Sequence, residues 1–414
     1  MQDQFDVVVV GAGAAGIAAA ARLSRSPLSV VVLEGQGRIG GRAHTLLART
    51  DLPLDLGCGW LHSADRNPLV PLFERRDIPI DRSEPAWARP EANLSLTPED
   101  GERFGAALAA FEARLEAAAA EGGEGRASAY LPGVGRWAPM IEAFSGYYNG
   151  AGLSQVSIQD YGAYEDTGVN WRAPEGYGAA ICALADRSLI VPHCAVLSID
   201  HSRTPLVLET ARGPVSARAV VVTVSSDLIA RESIRLTPGL PEKVDAATGV
   251  PLGLANKVFL SPTAPEAFGR EQHLWGRTDT AETGSYYLRP LGRPIIEAFF
   301  GGAHARALEA EGPRAAAAFA IEELVGHFGA GVRRQLKVMA ETGWASDPWA
   351  LGAYSHALPG CAPARQVLAA PVEDRLFFAG EATSKTAFST AHGAWESGLR
   401  AADEVLLALR VTAA

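Results

Sequence analysis

Glycine and alanine residues near the N-terminus have the spacing of a phosphate-binding turn. The string is Gly11-Ala12-Gly13-Ala14-Ala15-Gly16, and an acidic residue, Glu34, stands 23 residues after Gly11. In such a turn Gly11 permits the tight bend, Gly13 lets the backbone approach a pyrophosphate, and Gly16 lets a helix pack on the preceding strand. A carboxylate at Glu34 accepts hydrogen bonds from a ribose diol and repels a 2′-phosphate. The spacing predicts a dinucleotide site.

A second glycine-rich string follows Glu34 directly. It reads Gly35-Gln36-Gly37-Arg38-Ile39-Gly40-Gly41-Arg42, a glycine pair flanked by two arginines. Backbone amides and guanidinium groups arranged in this way can both reach a pyrophosphate. Through Arg38, Gly41 and Arg42 this part of the chain resembles flavoproteins with two dinucleotide-binding domains. The resemblance favours FAD over NAD.

The C-terminal third supplies a second candidate cofactor contact. The apolar run 375–379 ends in Gly380 and Glu381, and residues 388–394 lead into a predicted helix, Trp395 to Leu409. Ala391 to Ala394 therefore lie at or just before a helix N-terminus. Free backbone N–H groups there could face the electron-rich pyrimidine edge of a flavin.

An uncommon aromatic string makes the resemblance specific. Residues 344–354 read Trp-x-x-Asp-Pro-Trp-x-x-Gly-x-Tyr. With the two glycine strings, it resembles the flavin-containing amine oxidase family, which includes monoamine oxidases, polyamine oxidases, histone lysine demethylases and L-amino-acid oxidases. The matching blocks are 5–70, about 170–260 and 344–404, whereas about 75–160 shows no assignable pattern.

The resemblance implies roles for individual residues. Lys257, in an apolar strand, matches the lysine that points at the flavin N5 through a water, and a buried lysine suits proton management or oxygen activation. His62 and Tyr354 are the other catalytic candidates, and a histidine titrates near neutrality. The resemblance also implies that the aromatic residues flanking the Asp-Pro turn lie beside the isoalloxazine ring, so Trp349 and Tyr354 are candidates for flavin contact. The cofactor-binding candidates are Gly11, Gly13, Ala15, Gly16, Glu34, Gly35, Arg38, Gly41, Arg42, Gly57, Gly59, Trp60, Val196, Trp349, Gly380, Glu381, Thr390, Ala391 and Ala394.

Two positions depart from the monoamine oxidases within this family. Their flavin-bearing cysteine corresponds to Ala353 here, so a non-covalent FAD is expected. Their second cage aromatic corresponds to Thr390, which cannot form an aromatic sandwich with Tyr354. A substrate preference like that of the mammalian monoamine enzymes does not follow from the resemblance.

The elements that must position these residues form an α/β pattern. Phe5 to Val10 and Val30 to Leu33 read as buried parallel strands, and Ile17 to Leu23 reads as the helix between them. We predict a two-domain flavoprotein with a Rossmann-like FAD-binding domain (1–80, 180–245 and 345–414) and a mixed α+β substrate domain (81–179 and 246–344). The Ala/Glu-rich run from Phe104 to Glu121 predicts a helix whose Glu and Arg side chains form a solvated face.

Composition narrows the class of protein. The 414 residues are 48 % apolar, and 37 Lys and Arg against 47 Asp and Glu give a net charge of −10. An acidic chain is a poor ligand for nucleic acid or an anionic membrane. The longest apolar run, 15 residues, is shorter than the roughly 20 that a membrane-spanning helix needs. Four scattered cysteines without a metal pattern predict a cytoplasmic protein without a metal site, and nothing indicates the oligomeric state.

The predicted reaction is oxidation of a primary or secondary amine, a polyamine or monoamine, with O2 as the second substrate. The nearest alternative is an L-amino-acid oxidase, which needs an arginine to clamp the substrate carboxylate. Arg172 and Arg289 are the candidates for that clamp. An FAD-dependent desaturase or isomerase, and a flavoprotein that only binds a basic partner, remain as further alternatives because fold does not decide function.

Overall fold

A computed structural model describes residues 3–49 and 52–411. The strands of these residues, in chain order, are β1 Gln4–Val10, β2 Val30–Leu33, β3 Thr45–Arg49, β4 Leu52–Asp55, β5 Ile190–Val191, β6 Val196–Asp200, β7 Leu206–Thr210, β8 Gly213–Val222, β9 Arg235–Thr237, β10 Ala255–Pro262, β11 Gln272–Trp275, β12 Ser285–Leu288, β13 Ile296–Gly301, β14 Leu336–Glu341 and β15 Leu376–Phe378. The α-helices are α1 Ala14–Leu23, α2 Leu69–Glu74, α3 Pro98–Ala120, α4 Ala138–Asn149, α5 Ile158–Ala163, α6 Tyr177–Ala183, α7 Ser226–Ala230, α8 Pro241–Gly249, α9 Gly302–Glu311, α10 Ala315–Phe328, α11 Ala364–Ala369 and α12 Ala391–Ala408.

The larger sheet carries the N-terminal glycine turn. Its order is β5-β2-β1-β8-β7-β6-β9, with β15 also paired to β8. β1 is parallel to β2 and β8, and β15 is parallel to β8, whereas β6, β7 and β8 form an antiparallel meander. The parallel strands bring their carboxyl ends to one edge, where ligands of open α/β sheets bind. This is the expected Rossmann-like arrangement.

Both faces of β1 are buried, which explains its unbroken run of valines. Val7 and Val9 pack against α1 and α12, while Val8 and Val10 face a second apolar cluster on the other side of the sheet. The two helices themselves approach very closely. A Cβ added to Gly398 in α12 would lie 2.1 Å from the carbonyl oxygen of Ala15 in α1. Only glycine fits at this crossing.

The smaller sheet is antiparallel and has the order β11-β12-β13-β10-β14. Apolar side chains of α9 and α10, including Leu308 and Leu324, cover one face of it. A separate aromatic cluster around Phe104, Phe111 and Phe144 joins α3 and α4. The mixed α+β composition of this part of the chain matches the prediction.

All strands of the larger sheet lie within 1–80, 180–245 and 345–414, and those of the smaller sheet lie within 246–344. This distribution supports the predicted domain bounds, which stay a prediction. No helix of residues 3–49 and 52–411 is both long and apolar enough to cross a bilayer.

Three helices begin earlier than the sequence pattern predicted, and each difference has a local cause. α1 begins at Ala14 because Gly13 already has the extended conformation of an N-cap. α3 begins at Pro98, where the Thr97 side chain accepts from the amide of Asp100 at 3.2 Å. α12 begins at Ala391 because Thr390 caps it. The first turns of α1 and α12 are rich in alanine and that of α3 is polar, so none of them has the apolar periodicity that would have marked the start.

Candidate active site

One cavity of about 1260 Å³ lies between the two sheets and gathers residues from β1 through α12. It is lined by all of the predicted site residues except Gly16 and Arg38. The chain therefore brings the glycine turn, Lys257, His62, Tyr354 and the start of α12 to one space, although they come from distant parts of the sequence.

The N-terminal turn has the geometry that the spacing predicted. Gly11 has a φ of +100°, which a residue with a Cβ rarely adopts. A Cβ on Gly16 would lie 1.9 Å from the carbonyl oxygen of Gly11, so Gly16 acts in packing and not at the cavity wall. Gly13 has no side chain with which to cap α1, and the first-turn N–H groups remain available to an anion.

Glu34 lies at the end of β2 with a buried side chain. Its Oε2 accepts from the amide of Ala12 at 2.7 Å, and its Oε1 accepts from the amide of Gln36 at 2.7 Å. Each carboxylate oxygen keeps a further lone pair for a ribose hydroxyl. The indole ring of Trp349 covers Gly35, since a Cβ there would lie 2.2 Å from the ring. Trp349 therefore lies next to Glu34.

The second glycine string folds back onto the first. The amide of Gly40 donates to the carbonyl of Ala12 at 2.8 Å, and Gly13 and Gly40 form a parallel bridge. Arg38 does not reach the cavity, because its guanidinium donates to the Gly41 carbonyl at 2.7 Å and lies 4.0 Å from Asp347. The predicted direct pyrophosphate contact of Arg38 is therefore corrected to shaping this loop.

Arg42 and Glu381 connect the two ends of the chain at the cavity wall. Arg42 donates to Glu381 Oε1 at 2.8 Å and to the carbonyl of Ala353 at 2.7 Å. Burial alone would raise the pKa of Glu381, but Arg42, the hydroxyl of Ser355 and Arg365 outweigh burial and hold that pKa below its usual value. Glu381 is therefore an anion that orders both glycine strings against the C-terminal strand.

The start of α12 presents backbone to the cavity, as predicted. The Thr390 hydroxyl donates to the Ala387 carbonyl at 2.6 Å and accepts from the Gly393 amide at 2.9 Å. Ala391 and Ala394 line the cavity beside it. With α1, this gives the cavity two helix N-termini, each with the positive end of a helix dipole.

Lys257 lies on β10 with a buried side chain, and its Nζ is held by two oxygen atoms. It donates to the backbone carbonyl of Asp55 at 2.9 Å and lies 2.8 Å from Glu297 Oε1. Gly59 keeps this space open, because a Cβ there would lie 3.3 Å from Nζ. An ammonium has three N–H donors, so one remains for a group in the cavity.

Two further groups of the cavity wall are fixed by burial and hydrogen bonds. Burial raises the pKa of the Asp55 carboxyl, against the lowering effects of the Thr45 hydroxyl and of Lys257. Tyr354 donates its hydroxyl to the backbone carbonyl of Tyr147, and burial raises the pKa of Tyr354 far above its usual value. Tyr354 is therefore a neutral wall of the cavity, unsuited to proton transfer near neutrality.

His62 and the aromatic residues near it form another part of the wall. His62 Nδ1 lies 2.6 Å from Asn170 Oδ1. Trp60 and Trp87 meet edge to face with their ring centroids 4.2 Å apart, and Tyr287 completes an aromatic cluster with both.

Arg172, the first candidate carboxylate clamp, is already paired with two carboxylates. It lies 2.6 Å from Asp81 and 3.1 Å from Glu271, and it stacks over Trp60. Arg289, the second candidate, is buried outside the cavity lining and donates to the carbonyl of Phe268 at 3.2 Å.

The Glu and Arg side chains of α3 are mostly exposed, as expected, but Glu112 is half-buried and borders the cavity together with the exposed Glu116. Glu112 and Glu116 lie one helical turn apart on the helix, and Tyr161 donates its hydroxyl to Glu112 at 3.3 Å. Burial raises the pKa of Glu112; Tyr161 acts the other way and Glu116 adds to the rise. Phe111 and Leu115 pack into the aromatic cluster that joins α3 and α4, and this packing brings Glu112 and Glu116, the next residues in the helix, to the edge of the cavity.

The cavity lining is rich in carboxylates. Four Lys and Arg side chains of the described residues, Arg42, Arg172, Lys257 and Arg293, line it, against eight acids, namely Glu34, Asp55, Glu102, Glu112, Glu116, Asp166, Glu297 and Glu381. Four of these acids come from the stretch of about 75–160 that showed no assignable pattern, or lie just beyond it; they are Glu102, Glu112, Glu116 and Asp166.

Comparison with known protein families shows which family the chain belongs to. Residues 127–406 match the model of the flavin-containing amine oxidoreductases, and residues 9–75 match that of the NAD(P)-binding Rossmann-like domain. The chain belongs to the flavin-containing amine oxidoreductase family. It is thus an FAD-binding oxidoreductase of the amine oxidase class, as the resemblance implied.

Relatives within the amine oxidoreductase family differ in length. Polyamine oxidase 3 of Oryza sativa subsp. japonica is 28 % identical over 96 % of this chain and 88 % of its own. A lysine-specific histone demethylase 1 homolog 2 from the same rice is 30 % identical over 97 % of this chain, which spans only 57 % of that protein.

Two solved amine oxidases share the fold. Cyclohexylamine oxidase from Brevibacterium oxydans superposes with a TM-score of 0.79 at 22 % identity, over 98 % of this chain and 99 % of its own. A putrescine oxidase bound to putrescine superposes with a TM-score of 0.77 at 19 % identity, over 98 % and 99 %. These similarities establish the architecture and leave the substrate open.

Sequence reasoning missed several residues of this amine oxidase cavity. Glu297 is the single acid in the apolar run of β13, and that contrast was an available signal. Asn170 lies at the start of the matching block of about 170–260, but its position opposite His62 depends on the bridge between Leu61 and Trp171. The helical spacing of Phe104, Leu108, Phe111 and Leu115 marks the buried face of α3, but no local signal shows that Glu112 beside it borders the cavity.

Proposed function

We propose that this chain is an FAD-dependent amine oxidase acting on a primary or secondary amine. Bound FAD would accept a hydride from the α-carbon of the neutral amine at flavin N5, O2 would be reduced to H2O2, and water would hydrolyse the imine. The observation that carries the proposal is the position of Lys257. Its ammonium, held by Asp55 and Glu297, shares one cavity with a complete dinucleotide cradle.

The residues present fit FAD. Gly11, Gly13 and the open first turn of α1 suit the pyrophosphate, and Glu34 suits the ribose diol. Trp349 covers Gly35 beside Glu34, so we assign it to the adenosine side and not to the flavin ring. Ala353 offers no thiol, and the proposed FAD is non-covalent.

Lys257 would act on the flavin side through its third N–H. An ammonium fixed by two oxygen atoms can donate to a water or to reduced oxygen without reorganising, which is how a positioned charge lowers a barrier. Val196, Ala391 and Ala394 would line the cofactor without side-chain chemistry.

The acidic and aromatic lining supports a cationic amine, with a polyamine as the preferred class. Glu112, Glu116 and Asp166 would attract ammonium groups, and aromatic faces such as those of Tyr148 and Tyr164 would stabilise cations by cation–π contact. The α3 pair would meet the distal ammonium of a diamine. The cytoplasmic location, consistent with four free cysteines, stays a prediction.

The L-amino-acid oxidase alternative lacks an available clamp at the predicted positions. Arg172 is neutralised by Asp81 and Glu271, and a substrate carboxylate would have to displace one of them at the cost of a buried charge. Arg289 lies outside the cavity lining.

The test is the visible spectrum of the purified holoenzyme under anaerobic conditions, with polyamines, aromatic monoamines and L-amino acids added in turn. Bleaching of the flavin band by a polyamine supports the proposal. Bleaching by L-amino acids alone overturns the substrate assignment. A flavin band that no amine bleaches overturns the proposed oxidase reaction and favours a desaturase or a non-catalytic flavoprotein.

A further inference from the structure

The turn that leads into α12 contains a residue in a strained backbone conformation. Ser389 has a φ of +63°, in the left-handed region that a residue with a Cβ rarely adopts. Two hydrogen bonds hold it there: its amide donates to Glu381 Oε2 at 2.9 Å, and its hydroxyl donates to the Ser355 carbonyl at 2.6 Å. Thr390, the N-cap of α12, follows directly. The conformation of Ser389 therefore decides where the first-turn N–H groups of α12 point.

One buried arginine, Arg365 of α11, holds both partners of this turn, one directly and one through a hydroxyl. Its Nη1 donates to the Ser355 hydroxyl at 2.8 Å, and that hydroxyl donates to Glu381 Oε2 at 2.6 Å. The guanidinium carbon also lies 3.8 Å from the centroid of the ring of Phe388, the residue before Ser389. Arg365 thus contacts the turn and the groups that hold it, although it lies outside the cavity lining itself.

Arg365 is in turn fixed by an aspartate from α5. Its Nε donates to Asp160 Oδ1 at 2.6 Å and its Nη2 donates to Asp160 Oδ2 at 2.8 Å, and the two side chains are only 2 % and 3 % exposed. A two-point contact of this kind fixes both the position and the plane of a guanidinium. Arg42 donates to Glu381 at the other end of the row. The four charges alternate in sign along this row, so each has an opposite charge as its neighbour.

We propose that Arg365 is a positioning residue for the flavin of FAD. Acting through Ser355 and Glu381, it fixes the turn at Ser389 and so directs the first-turn N–H groups of α12 at the pyrimidine edge of the flavin. This role rests on the proposed function, in which the start of α12 lines the cofactor. The positive end of a helix dipole favours negative charge, and two-electron reduction adds negative charge to that edge. Correct aim of α12 therefore favours both FAD binding and the reduced state.

Ser355→Ala tests the link with little disturbance, because it removes one buried hydroxyl and keeps the Asp160–Arg365 pair. We expect FAD to leave the holoenzyme about 10-fold faster, followed by the fluorescence of released FAD after dilution. We also expect the preference for reduced flavin to fall about 10-fold, which lowers the two-electron reduction potential by about 30 mV against a reference dye. Ser145→Ala also removes a buried hydroxyl that donates to a carbonyl, and this control should leave both values unchanged.

Arg365 itself is tested in the double variant Asp160→Asn/Arg365→Gln, which leaves no unpaired buried charge. The double variant should show the same changes, and Arg365→Lys, which keeps the charge without the planar fork, should show smaller ones. Hydrogen exchange of the holoenzyme gives a structural readout. Backbone amides of residues 388–394 should exchange at least about 10-fold faster in Ser355→Ala and in the double variant, whereas those of α10 should not change.

A variant that loses thermal stability but keeps the wild-type FAD dissociation rate and reduction potential would make the row merely structural and overturn the inference. Wild-type values of both in Ser355→Ala overturn it even if the double variant fails to fold. The dye equilibration uses a chemical reductant and no amine. A wild type that oxidises no amine therefore refutes the proposed function alone, and the measurements on Ser355→Ala still decide the role of Arg365.

Discussion

Nζ of Lys257 lies 2.8 Å from Oε1 of Glu297, and the two residues stand on adjacent strands of the smaller sheet. The pair places a fixed positive charge at the wall of the large cavity, and the carboxylate of Glu297 compensates that charge. Glu297 thereby allows a buried ammonium to persist in a site where an isolated charge would be costly.

Lys257→Met should slow flavin reduction or reoxidation by at least about 10²-fold while FAD stays bound, because the side chain keeps its length and loses its donors. Anaerobic and aerobic stopped-flow absorbance would separate the two half-reactions. Lys337→Met, at an exposed position of the same sheet, is the matched control and should behave as the wild type. Unchanged turnover in the Lys257 variant would refute the role assigned to this lysine.

The α3 acids should discriminate between amines with one and two charges. In Glu112→Gln/Glu116→Gln we expect KM for a diamine to rise about 10-fold or more, since a charge-assisted hydrogen bond contributes about 1.5–3 kcal/mol. KM for a monoamine of similar length should change little. Steady-state kinetics with both substrates measures this, and Glu99→Gln on the same helix, outside the lining, is the control. An equal rise for both substrates would contradict a distal-ammonium site.

Buried histidines should make the protein less stable at acid pH. Burial lowers the pKa of His356 from 6.5 to about 4; Asp160 acts against this shift and Arg365 adds to it. Neither ring nitrogen has a partner among the described residues. The unfolded chain therefore binds a proton below pH 6.5 that the folded chain refuses until about pH 4. The free energy of unfolding falls across this window, by about 2 kcal/mol at pH 5 for this one group.

Urea unfolding at pH 5 and pH 7.5 checks this sign. His356→Phe should remove its share of the pH dependence and leave a shallower decline. His327→Gln, at an exposed position, is the comparison. The same loss of stability at pH 5 in His356→Phe and wild type would show that His356 is not the source.

The crossing of α1 and α12 should tolerate no added methyl group. Gly398→Ala puts a Cβ where the Ala15 carbonyl stands, and we expect a loss of about 1–3 kcal/mol in stability together with weaker FAD retention. Thermal unfolding and flavin content after gel filtration measure both effects. Gly326→Ala, in α10 with no atom within 4 Å of the new Cβ, should instead be neutral or stabilising. A Gly398 variant as stable as the Gly326 variant would mean that the helices can separate freely.

The sequence was informative where the chemistry is local. The turn from Gly11 to Gly16 and Glu34 at the end of β2 depend on residues close together in the chain, and both were located from their pattern. The contacts of His62 and Glu112 were not, because they depend on pairing between distant segments. His62 and Asn170 are 108 residues apart, and no local pattern says which residue a bridge will place opposite another.

Arg38 and Arg42 show a second limit on what can be predicted from the sequence. Arg38 and Arg42 flank the same glycine pair, yet only Arg42 reaches the cavity, because Glu381 and the carbonyl of Ala353 draw it there while Gly41 holds Arg38 back. Two side chains of one type in one motif can thus differ in role according to partners more than 300 residues away in the chain.

The interlocked crossing of α1 and α12 also bears on when FAD can enter. The glycine turn and Lys257 leave the ribosome long before Glu381, Thr390 and α12 have been made. Until then the valines of β1 lack one of their two covering helices, and the pyrophosphate turn lacks the anion that orders Arg42. The complete set of residues assigned to FAD therefore exists only after α12 has been made, and a chain interrupted before α12 would leave one apolar face of β1 uncovered.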